Sequence, residues 1–126
     1  MNRLYDGAAN ALMSGTLDLD TDALNLAPYT YLGYNPAHVT LADLFDSPAA
    51  APQPLTNRSV ATRTLYADNI TFPAVSDDVR VLLITRASDG LLVAYIDTRP
   101  DRMKIFIDGN GGALTVEWNQ RAVISL

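Results

Sequence analysis

Apolar positions recur along the chain at two spacings, and the change of period divides it. Leu4, Ala8, Ala11 and Leu12 fall three or four apart, the spacing of one helix face, and Gly15 after Ser14 offers a left-handed stop. Gly7 lowers the helical propensity of this stretch slightly. From Thr16 to Asp22 the period is two, with Leu17 and Leu19 opposed to Asp18 and Asp20. That predicts a half-exposed extended segment continuing through Ala23 to Leu26 as a strand. Pro28 to Pro36, with Tyr29, Tyr31, Gly33 and Tyr34, reads as an ordered loop. Thr40 is placed to N-cap a short helix over Leu41 to Phe45, with Asp43 in its first turn. In Ser47 to Pro54, Pro48, Pro52 and Pro54 alternate with alanines and Gln53. Missing backbone donors and fixed φ angles predict a semi-extended spacer outside the sheet.

Beyond Asn57 the period of two dominates. Val60 to Tyr66 predicts one strand, and Ile70 to Val75 a second that Pro73 confines to an edge or a bend. Val79 to Arg86 and Leu91 to Asp97 flank Ser88-Asp89-Gly90, a hairpin signal whose Asp-Gly pair suits a type I′ turn. Lys104 to Ile107 and Ala113 to Trp118 follow, separated by Asp108-Gly109-Asn110-Gly111-Gly112. Asn119-Gln120 permits a last turn into Ala122 to Leu126. An ending on Ile124-Ser125-Leu126 is expected to lie within a sheet or an interface. The expected fold is mainly β, a β-rich α+β chain of six or seven mostly antiparallel strands, sandwich or barrel-like, with one or two short helices. Residues 1–126 are expected to form a single compact domain with a proline-rich excursion at 47–54.

Composition narrows the function classes. With 126 residues, 48% hydrophobic and 18% charged, the chain is long enough to bury a core and too apolar for wholesale disorder. No apolar run reaches the roughly 18–20 residues of a membrane span, and no h-region follows Met1 to Asp6. A soluble protein made in the cytosol is expected. Cysteine is absent, which excludes disulfides, thiolate metal sites and cysteine nucleophiles. A net charge of -5, with nine scattered Lys and Arg, argues against nucleic-acid binding.

Candidate chemistry is sparse. Asp18-x-Asp20-x-Asp22 imitates the start of a calcium loop, but Ala23 stands where the loop needs glycine and Tyr29 where it needs glutamate. Alternate aspartates on a solvated strand face explain the triplet better. Asp108 to Gly112 lacks the Lys-Ser/Thr and following helix of a phosphate loop, and reads as a hairpin loop whose glycines allow close approach of another chain. His38, the sole histidine, has no second histidine or thiol with which to bind zinc. Asp77-Asp78 suits a turn better than acid–base catalysis. No enzyme activity and no cofactor are expected. Trp118, Tyr66, Tyr95 and Phe106 sit at strand positions that favour the core. Tyr29, Tyr31 and Tyr34 either pack inward as loop anchors or face outward as a contact surface.

Several stretches together resemble a family of small virion structural proteins of tailed bacteriophages. They are Leu4-Tyr5-Asp6-x-Ala8, Ala11 to Gly15 with Leu17-Asp18-Leu19-Asp20-x-Asp22, Arg63 with Ala67 to Val75, and Val79 to Ile84. Leu92 to Asp97, Gly111 to Asn119 and the closing Ile124-x-Leu126 complete the series, which spans nearly the whole chain in order. Ala27-Pro28-Tyr29, where the family tends to continue an apolar strand, and the richness in proline at 47–54 depart from it. The resemblance implies a capsid decoration or cement role at the virion surface, often as a trimer, with the major capsid protein as partner. Exposed strand edges would offer backbone groups to such partners. The candidate subunit or capsid contacts are Tyr29, Tyr31, Tyr34, Pro48, Pro52, Pro54, Ile70, Phe72 and Leu126. Deleting 47–54 is expected to abolish capsid occupancy while leaving the sheet folded. Alternatives are a tail or head–tail connector component, and a glycan- or receptor-binding module built on Tyr29, Tyr31, Tyr34 and Trp118.

Overall fold

In the computed structural model, which describes residues 2–99 and 107–125, the chain enters through a two-residue strand, Arg3–Leu4 (β1). The expected helix follows as α1, Asp6–Ser14. It ends where Gly15 adopts φ 79° and its N–H turns back to the carbonyls of Ala11 and Leu12. Nine further strands are β2 (Leu24–Tyr29), β3 (Gln53–Pro54), β4 (Ser59–Ala61), β5 (Thr64–Tyr66), β6 (Ile70–Phe72), β7 (Val81–Arg86), β8 (Leu92–Ile96), β9 (Leu114–Val116) and β10 (Ala122–Ser125). A five-stranded sheet has the order β1-β8-β7-β2-β3, a three-stranded sheet β10-β5-β4, and β6 pairs with β9. Every strand pair is antiparallel. The fold is mainly β, as expected, and among the described residues none of the sheets closes into a barrel.

The hairpin of β7 and β8 explains why its sequence is apolar without alternation. Leu82 and Ile84 belong to the main core with Leu24, Leu26, Leu65, Phe72 and Val79. Val81, Leu83, Leu92 and Tyr95 face the other way, into a second cluster with Tyr5, Ala27, Tyr29 and Leu32. Both faces of the sheet are therefore dry, so period-two alternation disappears from the sequence. Opposite Ile84 and Thr85 stand Ala94 and Leu92, which leaves Val93 as the extra residue of a bulge. That bulge turns both Val93 and Ala94 to the main core. The Val93 carbonyl accepts the N–H of Tyr5 at the head of α1, next to the β1–β8 pairs.

Pro28 sits inside β2, where a loop was expected, and hydrogen-bond parity explains why it is tolerated. The carbonyls of Ala23 and Tyr29 accept bonds from the β7 side, from Ala87 and Arg80. Those of Leu24 and Pro28 accept from the opposite side, from Leu55 and Ala49. The missing Pro28 donor thus points away from β7, and no ladder bond is lost there. The acceptors Leu24 and Pro28 also fix the proline-rich stretch. Gln53 and Pro54 pair with Leu26 and Asn25 as an edge strand, so the end of the 47–54 stretch is a sheet element, while 47–52 stays outside the strands and is tied to β2 through the Ala49 N–H. Removal of 47–54 would strip this two-residue edge and leave β1, β8, β7 and β2 paired.

Other boundaries differ for local reasons. Thr62 and Arg63, at φ 51° and 62°, break the expected single strand into the hairpin of β4 and β5, raising the strand number. Neither residue is glycine, so this type I′-like turn carried no sequence signal. Conversely, only Gly90 has positive φ in the β7–β8 connection, where Gly90 N–H bonds to Arg86 and the loop is wider than type I′. Thr16 to Ala23 is a run of turns, although Leu17 and Leu19 are buried and Asp18 and Asp20 exposed as the alternation required. The helix expected over Leu41 to Phe45 shortens to a 3-10 turn at Leu41–Asp43. The strand expected at Lys104 to Ile107, with Phe106, lies outside the described residues except for Ile107, which bridges Val79. Gly109 does allow close approach, but of its own chain: a Cβ there would collide with the Asp77 carbonyl.

Burial also separates two tyrosines. Tyr5 is fully buried, its hydroxyl has no protein partner among the described residues, and burial holds its phenol well above the ordinary range. Tyr95 donates its hydroxyl to the Leu32 carbonyl at 2.6 Å. Tyr5→Phe should leave stability unchanged or raise it by up to about 1 kcal/mol, whereas Tyr95→Phe should lower it by about 1–2 kcal/mol. Urea unfolding of the two variants measures the contrast.

Candidate functional site

The residues expected to make contacts divide between core and surface. Ile70 and Phe72 are buried, so what their strand could offer a partner is its backbone edge and not these side chains. Their strand is an edge in its two-stranded sheet, but its side chains at both positions face the main core. Tyr29 is 2% exposed and belongs to the second cluster, so it is an anchor. Tyr34 is partly buried, donates its hydroxyl to the Leu4 carbonyl at 2.7 Å, and receives the Arg3 guanidinium over its ring. Its ring lies 5.2 Å from that of Tyr5 and 5.4 Å from that of Tyr95. Tyr31 alone of the three faces outward, and Pro48, Pro52 and Pro54 are exposed. Leu126 lies outside the described residues. Of the glycan-type quartet, Tyr29 and Tyr34 point inward, while Trp118 packs partly against the main core and donates its indole N–H to the Asp68 carbonyl.

The surface that does emerge is the outer side of the segment from Thr30 to Pro48, which covers the second face of the large sheet. Its inner side is pinned at several points. Besides the two tyrosine hydroxyls, Leu92 N–H bonds to the Val39 carbonyl and Leu41 N–H to Gly90. The Asp43 carboxylate accepts the N–H groups of Val39 and Thr40, which hold it below the ordinary carboxylate range. With Leu32, Tyr34 and Leu44 turned inward, the remaining apolar side chains are left outside. Four of the six large hydrophobic residues most exposed among the described ones, Tyr31, Val39, Leu41 and Phe45, fall on this segment. Phe45 is fully exposed. Sequence reading assigned Phe45 to a helix and missed it; the polar run Asp46-Ser47-Pro48 directly after it was the available sign.

Beside Tyr31 lies an open hollow of about 440 Å³, lined by Thr30, Tyr31, Asp46, Ser47, Ser76, Asp77 and Asp78. Thr30 donates its hydroxyl to the Asp78 carbonyl at 2.6 Å and joins the two walls. The Arg80 guanidinium lies over the Tyr31 ring, 5.8 Å from its centre. A second hollow, of about 480 Å³, lies between the sheets, with Leu82, Ile96, Val116 and Trp118 on its wall and Arg99 and Ile107 at its border.

The aspartate triplet has a structural occupation. Asp18 accepts the N–H groups of Asp20 and Thr21, and the Asp20 bond chiefly lowers its pKa. Asp22 accepts the Asp18 N–H and the Arg86 guanidinium. Arg86 also donates two bonds to Asp89 and one to the Thr16 carbonyl, clamping the turn region to the hairpin. No group of three or more His, Asp or Glu side chains suited to a metal ion occurs among the described residues. His38 sits in the loop, with its ring near Asn35. No helix among the described residues is long and apolar enough to cross a membrane.

No family model, curated protein or solved structure matches this chain.

The clamp has a pH signature. Hydrogen bonding to Arg86 lowers the Asp89 pKa to about 2, against roughly 3.9 for a free aspartate. Its contribution is present above about pH 4 and is lost as pH falls toward 2. Asp89→Asn should flatten the acid limb of a Tm-against-pH curve over that window and leave the curve's slope above about pH 5 unchanged.

Proposed function

We propose that this chain is a non-enzymatic structural protein that works through protein contacts, as a decoration or cement component of a tailed-phage capsid. The observation that carries the contact role is the full exposure of Phe45 on a segment that also exposes Tyr31, Val39 and Leu41. Burying one phenylalanine would contribute about 2 kcal/mol, which folding of this chain leaves unused. Isolated exposed apolar residues are ordinary, but two exposed aromatics on one covering segment match the residue types enriched at interface centres. A standard interface takes about 800 Å² from each partner, roughly a tenth of the 6910 Å² surface here. The assignment to a virion rests on the sequence resemblance, and with it the major capsid protein as partner and the trimer as oligomer.

Light scattering on the purified chain, followed by a pull-down against the major capsid protein of the same virion, tests this. An oligomer retained by the capsid protein is the expected result. Phe45→Ala should abolish retention while changing stability by no more than about 0.5 kcal/mol, as for other exposed positions. A monomer at every concentration, with no retention, would refute the proposal.

A further inference from the structure

Asn110-Gly111 is the only Asn-Gly pair in the chain, and both residues are exposed. Glycine after asparagine leaves no side chain to hinder attack of its backbone nitrogen on the carboxamide. In that reaction the Gly111 nitrogen bonds to Asn110 Cγ, and the side-chain amide leaves as ammonia with the proton that nitrogen gives up. Water then opens the resulting succinimide at either carbonyl, giving aspartate or isoaspartate. The net change is NH exchanged for O, with nothing oxidised or reduced.

The fold commits both reacting groups. The Gly111 N–H donates to the Val75 carbonyl at 2.8 Å, so the proton that must be lost is held in a backbone bond. Asn110 Oδ1 accepts the Gly112 N–H at 2.9 Å, which fixes the carboxamide. The Gly112 carbonyl accepts the Val75 N–H at 3.0 Å, so one residue grips the chain at both Gly111 and Gly112. Val75 itself belongs to the main core and is 2% exposed, which makes it a firm anchor for an exposed loop.

We propose that Asn110 is a deamidation site gated by Val75: it reacts when residues 110–112 lift from the Val75 backbone, and its isoaspartate product keeps them from returning. Isoaspartate routes the main chain through Cβ. Along that longer path the Gly111 N–H and the Gly112 carbonyl no longer both meet Val75. The modification thus runs one way, from a closed loop to an open one. It uses no part of the contact role.

The test follows conversion of residue 110 by peptide mass mapping in mildly alkaline buffer. The folded full chain is compared with the capped pentapeptide of residues 108–112. Reaction through an opening scales with the open population, so the full chain should convert about tenfold more slowly than the peptide. Gly109→Ala places a Cβ against the Asp77 carbonyl, outside the reacting pair, and should close most of that gap by forcing the loop off. Hydrogen exchange then reads the product: the Val75 and Gly111 amides should exchange faster in isoaspartate-containing protein and as before in Asn110→Asp, whose carboxylate still accepts the Gly112 N–H. Equal rates in the full chain and the peptide would overturn the gate, as would a folded Gly109→Ala chain that converts no faster than its parent. Unchanged exchange in the isoaspartate form, or equally fast exchange in Asn110→Asp, would overturn the one-way release.

Discussion

A sheet that buries both faces must be covered twice, and this constraint arranges the whole chain. The β7–β8 hairpin is apolar at almost every position, so neither of its faces can be left to water. The smaller sheets cover one face and close the main core. Helix α1 packs on that same side through Ala8, Ala11 and Leu12, whereas the other face is sealed by Tyr5 and a long irregular segment. That segment can be irregular only because its backbone groups find partners at the sheet's margin and in Asp43. Its two tyrosines thus acquire different roles: Tyr34 holds it down, beside Tyr29 at the end of β2, and Tyr31 is left over.

The exposed aromatics follow from the same geometry. A segment of irregular backbone cannot turn every apolar side chain inward, because it lacks a periodic face. Leu32, Tyr34 and Leu44 reach the core, and Val39, Leu41 and Phe45 do not. A covering layer with apolar groups on both of its sides is poised between two apolar environments, the core beneath and whatever meets it above. This is the physical sense in which the covering segment supports a contact role, and it applies to Phe45 most strongly.

Legibility in the sequence tracked how local each determinant was. Helix α1 with its Gly15 cap, the β7–β8 hairpin and the bend at Pro73 were readable because spacing and backbone freedom decide them within a few residues. The Thr62–Arg63 turn was not, since positive φ in a β-branched residue is imposed by the pairing of β4 with β5. Pro28 was misassigned because a proline is excluded from a ladder only on its donor side, and the side is fixed by strand parity that sequence does not display. For the same reason 47–54 read as a spacer, although Ala49 and Gln53 to Pro54 are bound to β2. Among the contact residues, Tyr31, Pro48, Pro52 and Pro54 were found on the surface, while Ile70, Phe72 and Tyr29 were not. A strand may lie at a sheet's edge and still direct its side chains to the core. The hollow itself could not be read, because its walls come from residues 30–31, 46–47 and 76–78.

The close approach of Gly109 to Asp77 has a consequence for that hollow. With no side chain between them, the glycine-rich loop lies flush against the 76–78 wall. Val75 exchanges backbone bonds with Gly111 and Gly112, and the Asp78 carboxylate holds the Gly109 amide. The acidic wall is thereby buttressed from behind before anything arrives in front of it. Ordering a loose loop on association would consume part of the binding free energy; a wall already braced leaves little such entropy to lose.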